Sequence, residues 1–155
     1  MEHRTTRRLV AVSATIFIVS LLGAVLALVF DWPTQFDGSG SPTVTMDELV
    51  AKGTATSIPV VPWVALGVLA VIARSRRWSG SVAVGALSAL GLLFVVGGLG
   101  EAFAPSTPYV PRAVLVTSGI VFVAVGLALF ASGVADGVDR VRTVRERANP
   151  RHDDS

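Results

Sequence analysis

Cysteine is absent from this 155-residue chain, which removes disulfides, thiolate nucleophiles and cysteine metal sites from consideration. Histidine is almost absent: His3 and His152 lie in the two terminal tails, so a histidine-built metal centre lacks the ligands it needs. Lysine occurs once, at Lys52, against 12 arginines. Charge is scarce too, at 15% of residues against 52% hydrophobic. The runs Leu9 to Phe30, Ile58 to Ala73, Ser81 to Gly100 and Ala113 to Ala135 contain no ionisable residue, no asparagine and no glutamine. Ionisable groups within apolar spans are the usual mark of proton relays and ion-coupled transport. Those chemistries therefore have nothing here to work with.

What is present reads as a membrane protein. A mean hydropathy of +0.65 and long uncharged runs belong to chains that use lipid as solvent. Leu9 to Phe30 is 22 residues, about 33 Å as a helix, longer than the apolar core of a signal peptide, so it is read as an uncleaved first span. Ile58 to Ala73 and Ser81 to Gly100 are separated only by Arg74-Ser75-Arg76-Arg77-Trp78 and neighbouring residues. So short a connection makes them an antiparallel hairpin, and its arginines hold it on the cytoplasmic side. Eleven Lys and Arg residues lie at the N-terminus, in the 74–77 turn and after residue 139, against Lys52 and Arg112 in the other two connections. This asymmetry places both termini in the cytoplasm.

The expected fold is an all-α integral membrane bundle of four transmembrane helices, N-in and C-in. Its spans cover about 9–30, 56–73, 81–100 and 113–135, in a single domain over 1–148. The second span, at 16 apolar residues, is about 24 Å long; Ser57 is read as its N-cap, and the shortfall is expected to be met either by recruiting Thr54 to Ser57 or by local thinning of the bilayer. A 27-residue first outer loop, 31–57, carries the capping-box pattern Thr45-Met46-Asp47-Glu48 and a terminating Gly53, hence a short helix. Val134, Val138 and Val141 recur at helical spacing, so a cytoplasmic extension is expected over 136–148, followed by a disordered tail at 149–155. Trp32, Trp63 and Tyr109 fall at the outer interface and Trp78 at the inner one. Pro59-x-Val61-Pro62-x-x-x-Leu66 recurs as Pro108-x-Val110-Pro111-x-x-x-Leu115, which fits either two tandem hairpins or a common outer-end chemistry.

Helix packing should use small residues, because lipid supplies no hydrophobic force between apolar helices. Ser81, Gly85 and Ala89 are spaced by four, and Gly119, Gly126 and Gly133 by seven; both sets form stripes expected to face a neighbouring helix. Arg7-Arg8, the run Leu21 to Leu28, the Thr-Val-Thr loop at 43–45, the arginines of 74–77 and the glycine-rich third span follow one another along the chain. In that order they resemble the tryptophan-associated membrane proteins of actinobacteria. Trp32 stands alone where that resemblance implies a tryptophan pair. The resemblance implies a bacterial membrane protein and brings no activity with it.

Candidate sites are few. Asp31, Glu101 and Arg112 sit at outer helix ends, where a carboxylate pair could hold a cation or serve acid–base chemistry. Solvated charges at headgroup level are the plainer alternative. The hydroxyls of Ser88, Thr117 and Ser118 are read as helix-packing groups or as the lining of a hydrated cavity. Arg74, Arg76, Arg77, Arg140, Arg142, Arg145 and Arg147 set topology and meet lipid headgroups. No catalytic residue, cofactor or metal is expected, and the basic residues cluster at span edges without forming a nucleic-acid-binding face. The partners expected are the bilayer and a membrane-protein partner or a second copy. The functional expectation is a non-enzymatic accessory or structural subunit in the cell membrane; the alternative is a small transporter or channel for a neutral or lipid-like solute.

Overall fold

The computed structural model describes residues 4–30, 45–51, 53–54, 58–106, 108 and 110–148. Asp31, Trp32, Ser57, Tyr109 and the 149–155 tail therefore lie outside the described residues. Five helices follow one another: α1 (Arg4–Val29), α2 (Met46–Ala51), α3 (Val60–Ala73), α4 (Trp78–Phe103) and α5 (Arg112–Ala148). No strand occurs among the described residues. α1, α4 and α5 are each long and apolar enough to cross a bilayer.

The local chemistry explains where the helices start and stop. Uninterrupted apolar runs satisfy their backbone groups internally as helices, which is the requirement lipid imposes. α3 begins after Pro59 and keeps Pro62 in its first turn, and α5 begins directly after Pro111, positions where a missing N–H costs little. α2 carries the reciprocal capping box: the Glu48 N–H donates to Thr45 Oγ1 and the Thr45 N–H to Glu48 Oε2, both at 3.3 Å. It ends at Gly53, whose φ of 74° is the left-handed conformation that glycine adopts without strain.

The second apolar run departs from its expected extent. Helical geometry covers only the 14 residues from Val60, with Pro59 as N-cap, so Thr54 is not recruited into the helix. At about 21 Å, α3 is shorter than a hydrocarbon core of about 30 Å. Pro59 is the cause, since the residue before a proline, here Ile58, is disfavoured from the helical conformation. The space beyond the end of α3 is filled by buried Gly53, Thr54 and Ile58, and by α2, whose Leu49 packs on Ala24 and Ala27 of α1.

The four longer helices form a ring. α1 packs between α3 and α5, and α4 completes the ring by packing against both of these, most extensively against α5. The core is thin: Leu9, Ile16, Leu66, Leu87, Phe94 and Leu129 meet at its centre. Outward-facing positions are as apolar as the core, including Ile18, Leu22, Val25, Val64, Val68, Leu93, Val96 and Ile120. A continuous apolar exterior of this kind marks a surface that faces lipid or another protein.

Glycines set the α4–α5 spacing. Gly91 lies against Gly126 and Gly98 against Gly119: a Cβ built on Gly91 would stand 2.8 Å from the Gly126 carbonyl oxygen, and one on Gly119 2.5 Å from that of Gly98. Gly133 faces Ser88. The stripe of α5 thus lies on α4, but its counterpart is not the one expected. Gly85 has open space beyond its Cα, and both it and Ala89 are exposed. The buried face of α4 runs through Ala83, Leu87, Gly91, Phe94 and Gly98, a set that repeats by three and four and turns the Ser81–Gly85–Ala89 line away.

Trp63 is likewise placed differently. Its ring packs on Phe17 with centroids 4.8 Å apart, and its Nε1 donates to the Phe17 carbonyl oxygen at 3.1 Å. Phe17 is the midpoint of α1, so this indole joins two helices well inside the bundle and not at its rim. Trp63→Phe should keep the ring contact and lose the hydrogen bond, lowering stability by about 0.5–1.5 kcal/mol in a detergent unfolding titration.

Candidate functional site

Charge is concentrated at the end of the bundle where α1 begins, α3 gives way to α4, and α5 leaves the other helices. Asp136 is fully buried there, at 0% relative exposure. Thr6 donates to its Oδ1 at 2.5 Å, and Thr5 Oγ1 stands 3.0 Å from the same oxygen and 3.1 Å from Oδ2 of Asp139. One Thr5 proton is therefore shared between two carboxylates. The other oxygen of Asp136, Oδ2, accepts from Arg140 Nε at 2.7 Å.

Arg140 also closes the end of α3. Its Nη1 donates to the Ser75 carbonyl oxygen at 2.8 Å and its Nη2 to that of Ala73. The last carbonyls of a helix have no intrahelical partner, and a cation there also meets the negative end of the helix dipole. A guanidinium suits this place because its planar fork can serve a carboxylate and two carbonyls at once, which an ammonium cannot. Gly80 completes the corner: a Cβ there would run into the Ser75 carbonyl group and stand 3.0 Å from Arg140 Nη1. Thr5, Thr6, Ala73, Ser75, Asp136 and Arg140 thus tie α1, the 74–77 turn and α5 into one polar node.

Beside the node lies a cavity of about 100 Å³, bordered by Arg74, Arg76, Arg140 and Arg147, by Asp136 and Asp139, and by hydroxyls that include Ser81 and Thr143. Arg77, Arg142 and Arg145 are exposed and do not border it. The arginines expected to act together only as a topology signal therefore divide into a structural member, Arg140, three that line the cavity with it, and three that face outward.

Of the expected outer set, Arg112 and Glu101 are described and Asp31 lies outside the described residues. Arg112 is exposed, and its Nη1 donates to the Ala104 carbonyl oxygen at 2.5 Å, bracing the turn after α4. Glu101 is buried in the last turn of α4 at 7% exposure, which corrects the picture of a carboxylate solvated among headgroups. Ser88 donates to the Val84 carbonyl and Ser118 to the Val114 and Leu115 carbonyls, and each also borders a cavity. Thr117 faces outward. Among the described residues, no three His, Asp or Glu side chains converge as metal ligands.

Asp136, Thr5 and Thr6 were not among the expected site residues, although a signal for them exists. Continuing the heptad of Gly119, Gly126 and Gly133 by one step reaches Arg140, which must then turn toward the same helices. Asp136 is four residues before it, the spacing of a helical ion pair. No family model, curated protein or solved structure matches this chain. The roles of these residues accordingly rest on geometry.

Proposed function

We propose that this chain is a non-enzymatic integral membrane subunit: a bundle of four bilayer-inserted helices with both termini cytoplasmic, which docks a partner membrane helix on the outward face of α4. The observation that supports it is the open space at Gly85, Gly97 and Gly100, three helical glycines with nothing near the position of a Cβ. Glycine within a helix costs about 1 kcal/mol relative to alanine, and none of these three is needed for packing inside the bundle. Small residues on an exposed apolar helix face suit the close approach of another helix. Extraction into nanodiscs followed by mass analysis of the intact particle should show a second polypeptide or a defined homo-oligomer. A uniformly monomeric particle would remove this reading.

Transport of a small apolar solute is the second reading. It is supported by a cavity of about 110 Å³ between α1, α4 and α5, bordered by Thr15, Ser20, Phe94, Ser118 and Phe122. Proteoliposomes that fail to move any neutral solute while the protein remains folded would count against it.

The absence of cysteine makes the topology directly measurable. Single substitutions Arg76→Cys and Arg145→Cys should react with a membrane-impermeant maleimide only after the cytoplasmic face is opened. Glu48→Cys and Ser106→Cys should react in intact cells. Labelling of all four from one side would overturn the N-in, C-in arrangement.

A further inference from the structure

The arginine-lined cavity does not stand alone. Arg74, on its border, also borders a groove of about 300 Å³ that runs between α1 and α3 past Val10, Ala14, Ile18, Gly67, Ala70 and Val71. The groove is apolar along its length. Gly67 keeps it deep, since a Cβ there would stand 3.2 Å from the Phe17 ring. From Gly67 to Arg74 the groove follows about 10 Å of helix. Ser13 is the single hydroxyl on its border; it is buried, and its Oγ has no hydrogen-bond partner. One end of this composite depression is basic and the other greasy, with Arg74 at the join.

We propose that these two cavities together hold one anionic phospholipid, its phosphate among the arginines and an acyl chain along the α1–α3 groove. This rests on the bilayer-inserted reading above. Four arginines face two aspartates around the headgroup cavity. That count leaves the border net positive, and both oxygens of Asp136 and Oδ2 of Asp139 already accept hydrogen bonds from Thr5, Thr6 or Arg140. Arg140 points its Nε, Nη1 and Nη2 into the node, whereas Arg74, Arg76 and Arg147 are exposed on the cavity border and are the ones a phosphate would meet, with Ser81 and Thr143 as neutral donors. Guanidinium groups match phosphate oxygens in geometry as well as charge. Basic pockets between membrane helices on the cytoplasmic side are established headgroup sites. A free phosphate ester would satisfy the first cavity but gives no role to the groove or to Ser13, which offers a donor to the ester carbonyl at the head of an acyl chain.

The test uses the full chain in detergent, titrated with phosphatidylglycerol or with phosphatidylcholine of identical acyl chains, and read by native mass spectrometry. One phosphatidylglycerol should be retained preferentially. The pair Arg76→Gln and Arg147→Gln should lower that retention by roughly tenfold or more, from the electrostatic worth of juxtamembrane arginines. The pair Arg142→Gln and Arg145→Gln removes the same charge outside the cavity and should leave retention within about twofold. Ala14→Phe, at an exposed position in the groove, should lower lipid retention without changing the arginines. Thermal melts of each variant show that the fold persists.

Equal retention of phosphatidylcholine, or equal loss in both arginine pairs, would overturn the proposal. So would displacement of the lipid by inorganic phosphate at comparable concentration, which would identify a simple anion site, or indifference to Ala14→Phe. Recovery of the wild-type chain in the membrane pellet reads bilayer insertion separately, so failure of lipid retention cannot be mistaken for failure of insertion.

Discussion

Arg140→Ala should destabilise the protein by about 3–5 kcal/mol, the usual consequence of removing one member of a buried charge pair. Three losses coincide. Asp136, at 0% exposure, would be left with Oδ2 unpaired, and the carbonyls of Ala73 and Ser75 would lose their donor. Asp136→Ala should cost less, because Thr5 and Thr6 can turn to other acceptors while the α3 cap remains. Arg140→Lys should recover only part of the loss, since one ammonium cannot reach all three acceptors in a fixed fork. Replacing both with apolar residues of similar volume, Asp136→Leu with Arg140→Met, should be milder than Arg140→Ala alone. Unfolding in mixed micelles, followed by helicity, measures the full cycle. An Arg140→Ala protein that unfolds with the wild type would mean that the node is an accessory of the surface.

Gly126→Leu should separate α4 from α5 and produce the second large effect. Its Cβ position lies 2.6 Å from the Gly91 carbonyl oxygen and 2.8 Å from the Val95 nitrogen. Those are backbone atoms and cannot rotate away, so an entire helix must shift. Overpacking commonly costs 1–3 kcal/mol, and about 3 kcal/mol or more is expected here because α4–α5 is the most extensive interface of the ring. Gly91→Leu should behave alike. Gly85→Leu is the matched control: with nothing near its Cβ, it should leave the isolated chain unchanged or raise stability by up to about 1 kcal/mol through helix propensity. If the control nevertheless abolishes a co-purifying partner, the outward face of α4 is the docking surface. Equal damage from Gly85→Leu and Gly126→Leu in the purified chain would contradict the packing described above.

The residues that were legible in the sequence were those whose effect is periodic. Uncharged runs of span length announce helices because lipid permits little else, and the heptad of glycines on α5 announced the face turned to α4. On α4 the same logic finds the stripe of Ser81, Gly85 and Ala89, which is not the one that lies on α5. Ser81, Gly85 and Ala89 are as small as Gly91 and Gly98, and a helix rich in glycine offers several small faces; only the position of the larger Leu87 and Phe94 decides which is buried. The start of α3 differs from the expected cap at Ser57 because Pro59 itself stands at the N-cap, and Ile58 before it is disfavoured from the helical conformation. Asp136 was missed for a different reason. Beyond the last apolar residue the chain looks like a solvated helix, and nothing local says that the first turn of α1 folds back to cover it. A buried carboxylate held by Thr5 and Thr6, some 130 positions earlier, is a property of tertiary assembly.

The polar node also orders the biosynthesis of the protein. Its donor fork and its buried carboxylate both belong to the last helix to be made, whereas the groups they secure belong to the first helix and the first tight turn. A nascent chain can thus make α1, α3 and α4 before the Asp136 and Arg140 that join them at this node exist, and acquires that fastening only when α5 emerges. The helix synthesised last is the one that closes the node. A chain that terminates before Asp136 should reach the membrane with its helices formed, yet remain an unfastened substrate for membrane quality-control proteases, and pulse-chase decay of such a truncation beside the full chain would display the difference.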